Sequence, residues 1–176
     1  MYQISGDLGD IKNYKVFEIS IAQVITIFNN VFGKELMERY PLFIDNCWDD
    51  GNGANCGYSP HIKPLFDKVM FIRLGIDDFG NSVKTVYQFS HELCHFVFYS
   101  HYGINRSNLE SNEESVCSAM SLVIIKMLFD DATFLSHLDY VKKLLNDDYR
   151  LGAKVAEEIS FDIHKLKEMI VKNTTE

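Results

Sequence analysis

Proline is scarce in this chain. There are three in 176 residues, Pro41, Pro60 and Pro64, and all fall in one central stretch. Proline breaks helices, so that stretch reads as loops and short strands, while both flanks are left open to helices. Runs of basic residues and basic-aromatic stretches are absent. With 17 basic against 25 acidic residues the net charge is -8, which disfavours nucleic acid and anionic membrane as partners. The N-terminal residues lack a basic region followed by an apolar run, and so do not read as a secretory signal. Apolar stretches are interrupted well short of a membrane span. The expectation is a cytoplasmic protein with no membrane partner. Cysteine is limited to Cys47, Cys56, Cys94 and Cys117. In that compartment free thiols are expected, several of them buried, although a Cys47–Cys56 disulfide around the intervening loop is geometrically conceivable. No internal repeat, low-complexity tract or Pro/Ser-rich linker divides the chain, so residues 1–176 read as a single domain.

What remains is ordinary globular material. Hydrophobic residues make up 47% and aromatics 13%, enough for a real core and too much for disorder. Residues 20–39 carry Ile21, Val24, Ile25, Phe28, Val31, Phe32 and Leu36 at helical spacing, with Ser20 and Gln23 as a capping box and Pro41 as the stop. Leu42-Phe43-Ile44 is a short strand candidate. Residues 49–57 are rich in Gly, Asn and Asp and read as a surface loop, with an active-site flap the less favoured reading. Residues 68–76 are the best strand in the chain. Ser82 can cap a helix that ends before Gly103, Ser111 begins another, and a third starts at Asp131 or Ala132 and ends near Asn146. One or two more fill residues 149–172. Helix, then strands, then helices is an α+β order.

The helix that Ser82 can cap holds His91-Glu92-Leu93-Cys94-His95, the pattern H-E-x-x-H. Residues four apart on a helix share a face one turn up, so two imidazoles can reach one metal ion. Glu92 lies on the adjoining face, placed to take a proton from water held by the metal rather than to ligate. A catalytic zinc needs a third protein ligand and an open fourth position. The sequence offers Glu114, 19 residues after His95 in the first turn of an amphipathic helix, where the small residues Cys117, Ser118 and Ser121 would let it approach the metal helix. Ser111-x-x-Glu114 is also a capping box, so Glu114 could cap the helix instead. Glu113 is the neighbouring alternative and Glu110 a weaker one. His101 is a rival, because His91-Glu92-x-x-His95-x-x-Phe98-x-x-His101 nearly matches H-E-x-x-H-x-x-G-x-x-H. Phe98 stands where the glycine would turn the chain, and on an unbroken helix His101 sits roughly 9 Å further along the axis than His95.

The H-E-x-x-H helix followed by a helical glutamate resembles the gluzincin branch of the zincins. Its small size and the segment from Glu113 to Ser121 look most like the minimal gluzincins, including the ImmA/IrrE type, over residues 68–125. Their ligand helix reads approximately E-x-x-A-N-x-F-A. Aligned on Glu114, that pattern puts Cys117 at the alanine, Ser118 at the asparagine, Met120 at the bulky position and Ser121 at the final alanine. The chain departs from the pattern at Cys94, Cys117 and Ser118. The resemblance implies a zincin-like α+β fold with a small antiparallel or mixed sheet and a mostly helical C-terminal half. It implies one Zn2+ per chain on His91, His95 and Glu114, with Glu92 as general base in the hydrolysis of a peptide or protein substrate. It also implies that strand 68–76 forms the edge of the sheet, along which an extended peptide could pair. Tyr99, Tyr102, His137, Tyr140, Tyr149 and His164 are available to stabilise an oxyanion, and the sequence selects none of them. The alternatives are a non-catalytic zincin-like domain that binds a regulatory partner, and a hydrolase of non-peptide amides.

Overall fold

The computed structural model describes residues 2–4, 13–47, 60–105 and 112–172. The chain forms two compact units, Met1–Asn105 and Arg106–Glu176.

The first unit contains β1 (Tyr2–Ile4), α1 (Tyr14–Phe32), α2 (Lys34–Met37), β2 (Leu42–Asn46), β3 (His61–Leu65), β4 (Val69–Leu74) and α3 (Ser82–Tyr102). The four strands make one mixed sheet in the order β1-β2-β4-β3. β1 runs parallel to β2 and β2 parallel to β4, while β3 returns antiparallel beside β4. Strand β4 shows the alternation of a sheet with one covered face: Met70, Ile72 and Leu74 are buried, and Val69, Phe71 and Arg73 are half-buried. The edge strand implied by the resemblance is therefore corrected, because residues 69–74 lie inside the sheet and β3 takes the edge. A proline within residues 61–65 had hidden that strand, since Pro64 is tolerated only where a ladder hydrogen bond is not required.

Helix α3 is the buried centre of this unit and packs against α1, α2, β3 and β4. Phe17, Ile21, Val24 and Phe28 of α1 are fully buried, as are Phe89, Leu93 and Phe96 of α3. Helix α1 begins at Tyr14, six residues before the expected Ser20 cap. Ser20 is inside the helix and its hydroxyl donates back to the Val16 carbonyl at 2.9 Å. The helix also stops early, at Gly33 with φ 88, a conformation open to glycine, and a short α2 follows.

The second unit is helical: α4 (Glu113–Leu128), α5 (Asp131–Lys142), α6 (Asp147–Glu158) and α7 (Ile163–Lys172). Residues 115–125 of α4 are buried without interruption, as befits a helix covered on every side; α5, α6 and α7 all pack against it. One close contact is at Gly152 of α6. A Cβ there would stand 2.4 Å from the Ser118 Cβ and 2.8 Å from the Ser115 carbonyl oxygen. The small residue Ser118, expected to admit the metal helix, thus admits α6. Asp130 and Asn146 cap α5 and α6 by accepting from the Thr133 and Asp148 N–H groups. The helix expected to end near Asn146 ends at Lys142, and Asn146 begins the next one. Ser111, the cap proposed for α4, lies outside the described residues, as do Glu110, Cys56 and the 49–57 loop.

The architecture is α+β, a mixed four-stranded sheet followed by a mostly helical C-terminal half, as the sequence pattern implied. No described helix is long and apolar enough to cross a membrane. Cys94 and Cys117 are buried and not disulfide-bonded, whereas Cys47 is disulfide-bonded, against the expectation for that residue.

Candidate metal centre

The helix that carries the motif is fixed at both ends and at its approach. The Asn81 side chain accepts from the Lys84 N–H at 3.0 Å, which satisfies one of the open donors of the first turn. At the other end Gly103, at φ 101, donates its N–H to the Tyr99 carbonyl. Between β4 and α3 the chain is gripped by two amide side chains. Gln88 accepts from the Gly75 N–H at 3.0 Å, and its own amide donates to the Gly75 carbonyl at 3.4 Å. Asn46 does the same for Ile76, accepting at 2.8 Å and donating at 3.1 Å. Gln88 lies one turn before His91, so this grip ties the register of the motif to the sheet. Neither residue was foreseen; an isolated Gln or Asn carries no spacing signal of its own.

Within this frame His91 and His95 come together. Their Nε2 atoms are 3.3 Å apart and their rings meet edge-on at 67°. Two imidazole nitrogens bound at about 2.0–2.1 Å to one tetrahedral zinc are separated by about 3.3–3.4 Å. The pair therefore fits a single ion without rearrangement. His91 is 6% exposed, Glu92 5% and His95 5%. Burying three such polar groups in an otherwise apolar helix is costly unless they are partnered, which is why buried clusters of this type so often serve a metal or a reaction.

His101 does not join them. Helix α3 runs unbroken through Phe98 to Tyr102, and the chain turns only at Gly103. His101 thus stays six residues, roughly 9 Å of helix rise, beyond His95. Its imidazole stacks edge-on against Tyr102. Burial, helped by the Arg39 charge, lowers its pKa. Tyr99 and Tyr102 share α3 with the histidines and are half-buried. His137, Tyr140, Tyr149 and His164 belong to the second unit.

The second unit holds the carboxylate candidates. Glu113 and Glu114 occupy the first turn of α4, Glu113 fully buried and Glu114 half-buried, and Cys117 is buried one turn on. The acidic pair is well placed electrostatically at a helix N-terminus in any event.

No family model, no curated protein and no solved structure matches this chain. What points to function is a buried helical histidine pair at metal-ligand spacing.

Proposed function

We propose that the protein is a zinc-dependent hydrolase, a peptidase of gluzincin type, in which His91, His95 and Glu114 hold one ion and Glu92 is the general base. The observation that carries this reading is the 3.3 Å separation of the His91 and His95 Nε2 atoms on a buried H-E-x-x-H helix. Two imidazoles and one carboxylate are the donor set of a catalytic zinc, which keeps a coordination position open. Glu114 is preferred to Glu113 because it brings the small residues of α4 into the register of the gluzincin ligand helix.

Bound zinc supplies Lewis-acid chemistry, polarising a carbonyl and lowering the pKa of water towards neutrality. The protein's residues do the rest. His91 and His95 are buried with their Nε2 atoms already 3.3 Å apart, so the pair is preorganised for one ion. Glu92, next to His91 in sequence but on the adjoining face, takes the proton released as water attacks the scissile carbonyl and returns it to the leaving amine nitrogen. Exclusion of bulk water around these side chains strengthens each electrostatic contact.

The test is metal content by elemental analysis on protein purified without a metal-binding tag. About one zinc per chain is expected by this stoichiometry, lost in His91→Ala and His95→Ala. Glu92→Gln should keep its zinc and its fold, and lose peptide hydrolysis by roughly 10²–10⁴-fold, the usual contribution of a general base. A chain that takes up no zinc when it is offered would overturn the proposal. Zinc uptake without cleavage in a broad peptide screen would leave a metal-binding domain and remove the peptidase.

A further inference from the structure

Past the end of β4 the chain leaves its strand neighbours but keeps its hydrogen bonds. Gly75 and Ile76 are buried, where an unpaired N–H or C=O would be costly. Each has both main-chain groups taken up by one side-chain amide, a group that carries a donor and an acceptor as a peptide does. Asn46 of β2 holds Ile76, at 2.8 and 3.1 Å, and Gln88 of α3 holds Gly75, at 3.0 and 3.4 Å. One residue on, the Asp77 carboxylate pairs with the Lys84 ammonium of α3 at 2.6 Å. Residues 75–77 thus bridge the sheet to the first half of α3. Lys84 precedes His91 by seven residues, and Gln88 precedes His95 by seven. Seven residues make two helical turns with a drift of only about 20° around the axis. The anchored side chains and the two imidazoles therefore leave α3 along one stripe, and that stripe is pinned one turn below the histidines.

We infer that Gln88 is a positioning residue for the metal: its amide fixes the rotation of α3 about its own axis, and so the direction in which His91 and His95 present their Nε2 atoms. This rests on the metal centre proposed above and not on what that centre hydrolyses. The 3.3 Å spacing of the pair is set within the helix, and Gln88 is not needed for it. What Gln88 sets is the placement of the pair relative to the sheet. The third ligand of the proposed centre, Glu114, belongs to α4, so direction as well as spacing decides whether one ion can hold all three. A helix free to rock would spread the pair over several settings, and only the chains in the competent setting would bind. Of the two anchors, Lys84 with Asp77 is a partly exposed ion pair, a kind that restrains little. Gln88 is half-buried and bonded twice to main chain, so the restraint falls to it.

The test uses the full chain and two probes, zinc alone and cobalt alone. Zinc affinity is read by competition with a chelator, and the visible absorption of the cobalt-loaded chain reports the geometry of its ligands. Gln88→Met keeps the length of the side chain and removes both bonds to Gly75. It should weaken zinc binding by about tenfold, the lower end of the loss when an outer-shell partner of a metal site is removed, and it should shift the cobalt bands. Asn81→Ala is the control on the same helix. It removes the cap on the Lys84 N–H and should lower the urea midpoint, while zinc affinity and the cobalt bands stay as in wild type. Should Gln88→Met not fold, Gln88→Ala takes its place, since it removes the same bonds and gains helix propensity. Unchanged zinc affinity or unchanged cobalt bands in the Gln88 variant, or changes matched by Asn81→Ala, would reduce Gln88 to a stabiliser of the fold and overturn the inference, with the metal centre left standing. A wild type that takes up neither zinc nor cobalt would remove the metal centre and this role of Gln88 with it.

Discussion

At the scale of single residues, the candidate centre is a matter of which side chains can meet and which cannot. His91 and His95 meet because four residues make little more than one helical turn, and their Nε2 atoms are 3.3 Å apart. His101 fails for the same geometric reason. The bulky Phe98 sits where a glycine would be needed, and the helix continues past it to Gly103. This much was legible in the sequence, because it depends only on helical spacing and on which residues favour positive φ. The third ligand was less legible, since Glu113 and Glu114 share one helical turn and only the register of the following small residues separates them. Glu114 and His101 make opposite predictions for zinc. Glu114→Gln should lower zinc affinity by at least tenfold, a loss of more than about 1.4 kcal/mol. His101→Ala should leave it unchanged. Competition with a chromophoric chelator measures both. Zinc affinity lost in His101→Ala and kept in Glu114→Gln would reverse the assignment.

At the scale of elements, the sequence is read well where a cap or a period marks an end, and badly where backbone conformation alone does so. The motif helix was placed to within a residue, because Asn81 and Gly103 bracket a clear apolar period. The start of α1 was missed because its N-cap, Asn13, sits at φ 68 and makes no side-chain cap bond, so there was no capping signal to read. β1 is three residues long, too short for any alternation to register. The small residues of α4 pointed to a close approach, but composition does not say by which partner. The structure gives one as Gly152 of α6, and that contact is testable. A methyl group at 152 would collide with the Ser118 Cβ and also with two backbone atoms, the Ser115 oxygen at 2.8 Å and the Ala119 nitrogen at 3.1 Å. Backbone cannot swing aside as a side chain can, so α6 must shift. Gly152→Ala gains helix propensity, yet it should destabilise by about 1–3 kcal/mol, the range for overpacking a tight core. The urea midpoint would report it. An unchanged or raised midpoint would mean that the two helices are not in this contact.

At the scale of the whole molecule, stability should depend on pH through a histidine far in sequence from the motif. His137 on α5 is held neutral by burial, which lowers its pKa from the ordinary 6.5 to about 4. Between those values the unfolded chain binds a proton there that the folded chain does not. Stability therefore rises with pH across the window. Its contribution is complete above about pH 6.5, declines as pH falls, and is gone below about pH 4. The carboxylates with lowered pKa values act elsewhere on the scale. Asp77, held by the Lys84 ammonium, and Asp130, held by the Thr133 N–H, lose their contributions only below the usual 3.8. Metal affinity is itself pH-dependent, so bound zinc would overlay its own response on that of His137. The measurement is thus urea unfolding against pH with zinc chelated, in wild type and in His137→Leu. Wild type should lose stability progressively from about pH 6.5 to pH 4, with a slope of up to one proton. The variant should be flatter there and keep its decline below pH 4. A variant as steep as wild type between pH 6.5 and 4 would mean that His137 is not the buried neutral group, and that the acid response of the apo chain arises at another site.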